Sequence, residues 1–165
     1  MPLKVSRNEV ETLCYRAALG VGLPQGLAED AAWIGAGLAC TRPDGLAIML
    51  RALASVEAHP VVAPVFRREG GAWRANQAFV PALVSGPVAA DLRRAEPGVE
   101  VVIGETGEPD ITAICLSPGE IPPHQPFVAE DGVWRELGRL AARTYVPASD
   151  TSRLMGAGAG LLDND

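Results

Sequence analysis

The apolar period of this chain changes near residue 60, and that change constrains the fold more than any other feature of the sequence. Before it, Val10, Leu13, Cys14, Ala17, Ala18 and Val21 recur at i, i+3, i+4, i+7, i+8 and i+11, one face of a helix. Ser6-Arg7-Asn8-Glu9 supplies a capping box at its start. Gly20 and Gly22 end it, and Pro24 opens the next. A second helix carries Leu27, Ala31, Ile34 and Leu38 on one face, with Ala28, Ala32, Gly35 and Ala39 beside them for close packing. Arg42-Pro43-Asp44-Gly45 breaks it. Asp44 is then placed to cap a third helix over about 45–58, with Leu46, Met49, Leu50, Leu53 and Val56 as its apolar face.

After residue 60 the pattern shortens. Val61, Val62, Val65 and Phe66 predict a strand, Glu69-Gly70-Gly71 a turn, and Ala72-Trp73-Arg74 the return strand. Gly86-Pro87 predicts the start of a helix that runs to about Ala95 and stops at Pro97-Gly98. Val99–Gly104 and Ile111–Leu116 predict a second hairpin. Prolines at 118, 122, 123 and 126 exclude a central strand or a helix interior there. A last helix from Asp131 carries Val133, Leu137, Leu140 and Ala141 and ends before Pro147. Ser149–Asp165 is rich in glycine and follows neither period. The expected fold is α+β: an N-terminal layer of about three helices on an antiparallel sheet of four to five strands, then a C-terminal helix and a Gly-rich tail. No repeat and no domain boundary is visible, so 1–165 reads as one domain, ample to bury a core without disulfides or metal.

Charge narrows the partners. The formal net charge is −6. Between Arg94 and Arg135 no Lys or Arg occurs, while eight acids do: Glu96, Glu100, Glu105, Glu108, Asp110, Glu120, Glu130 and Asp131. Nucleic acid and anionic membrane surfaces are therefore not expected partners. The N-terminus has no apolar signal core and no run of eighteen apolar residues occurs. With three widely spaced cysteines, the expected location is the reduced cytoplasm.

Several chemistries lack their residues. The one lysine, Lys4, sits at an end expected to be mobile, which disfavours a buried Schiff-base amine. No Gly-x-Ser-x-Gly elbow and no phosphate-binding glycine loop is present. The two histidines, His59 and His124, each lie next to or near proline, and no zinc spacing surrounds them; no metal ligand set is assigned and no cofactor is known. Cys14 reads as a buried small hydrophobe. Cys115 reads as the same within a strand, and Cys40 as the most reactive thiol of the three. The acid pairs Glu29-Asp30, Glu108/Asp110 and Glu130-Asp131 read as caps and solvated turns rather than acid–base dyads. Arg67, Arg68 and Arg74 around the first hairpin suit a carboxylate or phosphate, but a solvated hairpin tip is the plainer reading.

The tail stands apart. Gly156-Ala157-Gly158-Ala159-Gly160 is no dinucleotide fingerprint, because the third glycine comes one position early. Alternating Gly and Ala allows a backbone to approach another surface closely. Asp163 and Asp165 add hard oxygen acceptors. A loose, solvated terminus has the same composition.

Ala141-Ala142-Arg143-Thr144-Tyr145-Val146-Pro147-Ala148-Ser149, Ser152-Arg153, and Gly156–Gly160 with Asp163-Asn164-Asp165 resemble a family of uncharacterised bacterial proteins, domain of unknown function 3726. Val5-Ser6-Arg7-Asn8-Glu9-Val10-Glu11, Gly26-Leu27-Ala28-Glu29-Asp30-Ala31 and Asp44-Gly45 are similar to it as well. Gln25 stands where the family pattern has an aromatic residue. The resemblance implies an ordered tail but no reaction or cofactor. Two readings follow. In the first, the chain is a non-catalytic accessory or assembly module, a homo-oligomer or a partner of another protein, whose tail packs on itself or that partner. In the second, it is a small catabolic enzyme or enzyme subunit acting on a small carboxylate-bearing metabolite. The candidate ligand-binding residues are Tyr145, Ser152, Arg153, Gly156, Gly158, Gly160, Asp163 and Asp165, with His124 an added candidate in the second reading.

Overall fold

The computed structural model describes residues 3–59, 61–117 and 126–144. In chain order these form β1 (Leu3–Val5), α1 (Arg7–Gly20), α2 (Gln25–Thr41), α3 (Gly45–Ala58), β2 (Phe66–Glu69), β3 (Ala72–Ala75), α4 (Ala82–Ala95), β4 (Val101–Val102), α5 (Pro109–Leu116), β5 (Phe127–Ala129) and α6 (Asp131–Ala142). The α+β class expected from the sequence holds. Among the described residues, no helix is long and apolar enough to cross a membrane.

The helical first third follows its sequence closely. Ser6 and Glu9 form the reciprocal capping box of α1. Val10, Cys14, Ala17 and Ala18 are buried on α1, Ala31, Ile34 and Leu38 on α2, and Ile48, Met49, Leu53 and Val56 on α3. Two close approaches hold this layer together. A Cβ at Gly35 would lie 2.5 Å from Cys14 Sγ, so α2 meets α1 only because that position has no side chain. A Cβ at Gly20 would lie 2.0 Å from the Leu140 carbonyl oxygen, and α6 seats there against α1. Asp44 sits at the start of α3 but does not cap it. Its carboxylate accepts from Arg42 Nε at 3.0 Å instead.

The remainder departs from the expectation in several places. The strands form two small sheets, not one: β1 pairs antiparallel with β5, and β2, β3 and β4 form a three-stranded sheet. β3 and β4 are parallel, a pairing their separation by α4 permits. Lys4, expected at a loose end, lies in β1 opposite Val128. The β2–β3 hairpin turns at Gly70 and Gly71, both at positive φ (59° and 84°), as a two-residue turn of this kind demands. Residues 61–65 lie outside the strand, which begins at Phe66.

α4 begins at Ala82, four residues before the expected Gly86-Pro87, and carries Pro87 within it. Leu83, Val84 and Ser85 are buried, and that burial extends the helix across a proline that removes one backbone hydrogen bond. Ile111–Leu116, expected as a strand with Cys115 in it, is helical: Pro109 opens α5 and Asp110 lies in its first turn. Ile111 and Cys115, four residues apart, bury the same helical face.

Candidate functional site

The tail residues Tyr145, Ser152, Arg153, Gly156, Gly158, Gly160, Asp163 and Asp165 lie outside the described residues, as does His124. The structure does place the root of that segment. Arg143 donates from Nη1 to Glu57 Oε1 at 2.6 Å, fixing the end of α6 against the end of α3.

The remaining singled-out residues are placed as follows. His59 follows α3, its Nδ1 2.8 Å from the Ser55 carbonyl oxygen and its ring 4.6 Å from that of Phe79. Burial pushes the Cys14 thiol up to about 12, with a further push from Glu11. Burial pushes the Cys115 thiol up to about 12 as well, helped by the nearby Asp30. Neither is a thiolate at neutral pH. Cys40 is half-buried in an open cleft of about 340 Å³ with Phe127, Val128 and Arg42. Among the described residues, no group of His, Cys, Asp and Glu is arranged to hold a metal ion.

The acid-only stretch recruits its partners from elsewhere. Arg51 holds Glu108 through two hydrogen bonds, at 3.0 and 3.3 Å, and the Glu108 side chain is only 13% exposed. Arg42 donates to Asp110 at 2.7 Å while it also holds Asp44, whose carboxyl is kept below its ordinary value by that contact. Arg68 pairs with Glu96 at 3.2 Å, and Trp73 Nε1 donates to the same carboxylate at 3.3 Å. The plainer expectation for the hairpin arginines is a solvated tip, and Arg68 instead pairs with a carboxylate of its own chain. Asp131 pairs with Arg135 along α6.

Two clefts were not singled out in the sequence. One lies between α2, α4 and α5, holds about 200 Å³, and is lined by Asp30, Trp33, Ile34, Pro87, Ala90, Asp91, Arg94 and Cys115. The signal was present in the spacing. Asp30, Trp33 and Ile34 stand at i, i+3 and i+4, and Pro87, Ala90, Asp91 and Arg94 at i, i+3, i+4 and i+7, so each set shares one helical face. The Asp30 carboxyl is raised by desolvation in this cleft, then by Asp91 and Glu29, against a lowering influence of Arg94. Arg94 itself is held by Asp91 at 2.5 Å. The other cleft is a groove of about 450 Å³ between α1 and α6. Leu13, Trp134 and Ala141 give it apolar surface, and Asn8, Glu9, Thr12 and Arg16 border it.

Comparison with known proteins adds one finding. Residues 5–72 match the family model described as "Protein of unknown function (DUF3726)". The match runs from the end of β1 through the three-helix layer to the start of β3, and the tail segments lie beyond it. Neither a curated protein nor a solved structure matches the chain.

Proposed function

We propose that this chain, which belongs to the domain of unknown function 3726 family through residues 5–72, is a non-catalytic assembly module of the reduced cytoplasm that associates with a second copy of itself. The observation that carries this reading is the groove between α1 and α6. Half-buried Trp134 lies there with Leu13 and Ala141, and polar residues of α1 form the border. An apolar centre with a polar rim and a tryptophan is the composition of a protein interface. The rim carries both an acid, Glu9, and a base, Arg16.

Sedimentation velocity over a range of protein concentrations tests this. The full chain is expected to associate, and Trp134→Ala or deletion of 154–165 to shift it toward the monomer. A chain that is monomeric at every concentration, or whose association ignores both changes, would overturn the reading. Nucleic acid and membranes are not partners in it.

A second reading keeps a small catabolic enzyme or enzyme subunit, its site formed by Tyr145, Ser152, Arg153, the glycines 156, 158 and 160, Asp163 and Asp165, with His124. The contact of Arg143 with Glu57 supports it, because it ties the end of α6 to the end of α3, two residues before His59. Arg153 would hold a substrate carboxylate and an aspartate would act as base. Loss of small-carboxylate binding on Arg153→Ala, with sedimentation unchanged, would favour this reading over the first.

A further inference from the structure

We propose that the cleft between α2, α4 and α5 binds a small organic ammonium ion, its charged head held by the Asp30 carboxylate and its apolar body laid along Trp33, Pro87 and Ala90.

The wall comes first. Ile34 is fully buried, Cys115 nearly so, and Trp33, Pro87 and Ala90 are half-buried, so the cleft presents an apolar and aromatic surface with charge confined to Asp30, Asp91 and Arg94. A small site bounded by apolar groups and a few placed polar ones is the usual form of a small-molecule pocket. Gly86 shapes it from behind. A Cβ there would lie 2.9 Å from Cys115 Sγ, so α5 comes close enough to α4 to place Cys115 in the wall.

The sign of the ligand follows from the charges. Three ionic groups line the cleft, two acids and one base, and Arg94 is taken by Asp91. The Asp30 side chain makes no hydrogen bond or salt bridge among the described residues, and Arg94 acts on it only through longer-range attraction. Its neighbours Glu29 and Asp91 add negative potential. The unmatched charge is one carboxylate, so the complementary ligand is a monocation, and an anion meets repulsion. An aromatic wall beside that carboxylate favours an organic cation over a hydrated metal ion. The cysteine contributes shape only, since burial keeps its thiol protonated. The cleft shares no residue with the groove between α1 and α6, so the two proposals stand or fall separately.

The test titrates the full chain with butylammonium chloride, with sodium butyrate and sodium chloride as matched controls, followed by calorimetry and by amide and indole resonances. Saturable binding of butylammonium is expected, with shifts centred on the Trp33 indole and on residues 87–94, and no binding of butyrate. Asp30→Asn, at an exposed position, is expected to keep the circular dichroism of the parent and to weaken binding roughly tenfold or more. Trp33→Leu keeps the carboxylate and is expected to weaken it less. No saturation beyond the sodium chloride control, equal binding of butyrate, undiminished binding by Asp30→Asn, or shifts located elsewhere would each overturn the proposal.

Discussion

The layer α1–α3 and α5 are both helical, but they are held by different forces. In the first, apolar side chains do the work: Val10, Cys14, Ala17, Ala31, Ile34, Leu38, Ile48, Met49 and Leu53 are fully buried. α5 is held along one face by Ile111 and Cys115 and at its N-terminal end by ion pairs, Arg42 to Asp110 and Arg51 to Glu108. It also carries a buried hydroxyl, Thr112 Oγ1, with no partner among the described residues. Burial is insensitive to salt, whereas exposed ion pairs are weakened by it. The lesson is that the three-helix layer, which the family match covers, is held by burial, and both clefts form where other helices meet it.

The largest effect should come from opening the firm layer. Leu53→Ala removes a fully buried side chain on α3, and is expected to cost about 2–5 kcal/mol in urea unfolding. A cost under 1 kcal/mol would mean that the three-helix layer is not the stability core, and the comparison would fail. Gly35→Ala probes the same layer from the opposite side. Its Cβ would meet the buried Cys14 sulfur at 2.5 Å. Overpacking of that kind costs about 1–3 kcal/mol, partly offset by about 1 kcal/mol of helix propensity. Cys14→Ala in the same chain removes the sulfur and should recover part of the loss. A double variant no better than the sum of the two singles would show that the contact is not the cause.

The same division explains what was legible in the sequence. Where one apolar face decides the structure, as in α1, α2, α3 and α6, the period alone gave element type and near-correct ends. Where neighbours decide, it did not. Ile111–Leu116 is too short and too apolar to separate strand from helix by period, although Pro109 and Asp110 carried the helix-start signal. Pro87 suggested a helix start because proline is favoured there, and only the burial of Leu83, Val84 and Ser85 places it inside. β1 and β5 are three residues each, far apart in sequence, and no local pattern announces their pairing. The candidate site divides likewise. Asp30 was visible as an acid at a helix start, yet its role depends on Asp91 and Arg94, about sixty residues away on another helix.

A smaller effect is expected at the ion pairs. Arg51→Ala leaves Glu108, mostly buried, without its partner, and should cost a few tenths to about 1 kcal/mol. The loss should shrink as salt is raised. Hydrogen exchange sharpens the comparison more than global stability does. Amides of α5 should exchange faster in Arg51→Ala and in Arg42→Ala, while those of α1–α3 stay at the parent rate. Faster exchange in both regions alike would show one cooperative unit and erase the distinction.

The smallest effect carries a sign that tests the cleft itself. Burial and the acids Asp91 and Glu29 raise the Asp30 carboxyl above its unfolded value, with Arg94 opposing. Below the unfolded value, about 3.9, Asp30 is protonated in both states and contributes nothing to the pH dependence. Between the unfolded and folded values the folded chain binds more protons, so stability falls as pH rises through that window. Above the folded value the penalty is constant. Asp30→Asn removes the ionisation, so it should be as stable as the parent in acid and slightly more stable at neutral pH. The gap should open between about pH 4 and the folded value and then stay level. Urea midpoints of the two chains across pH 3 to 8 measure it. A parent chain that is the more stable at neutral pH would show that Asp30 already has its counter-charge within the fold, and the cleft would lose its reason to attract a cation.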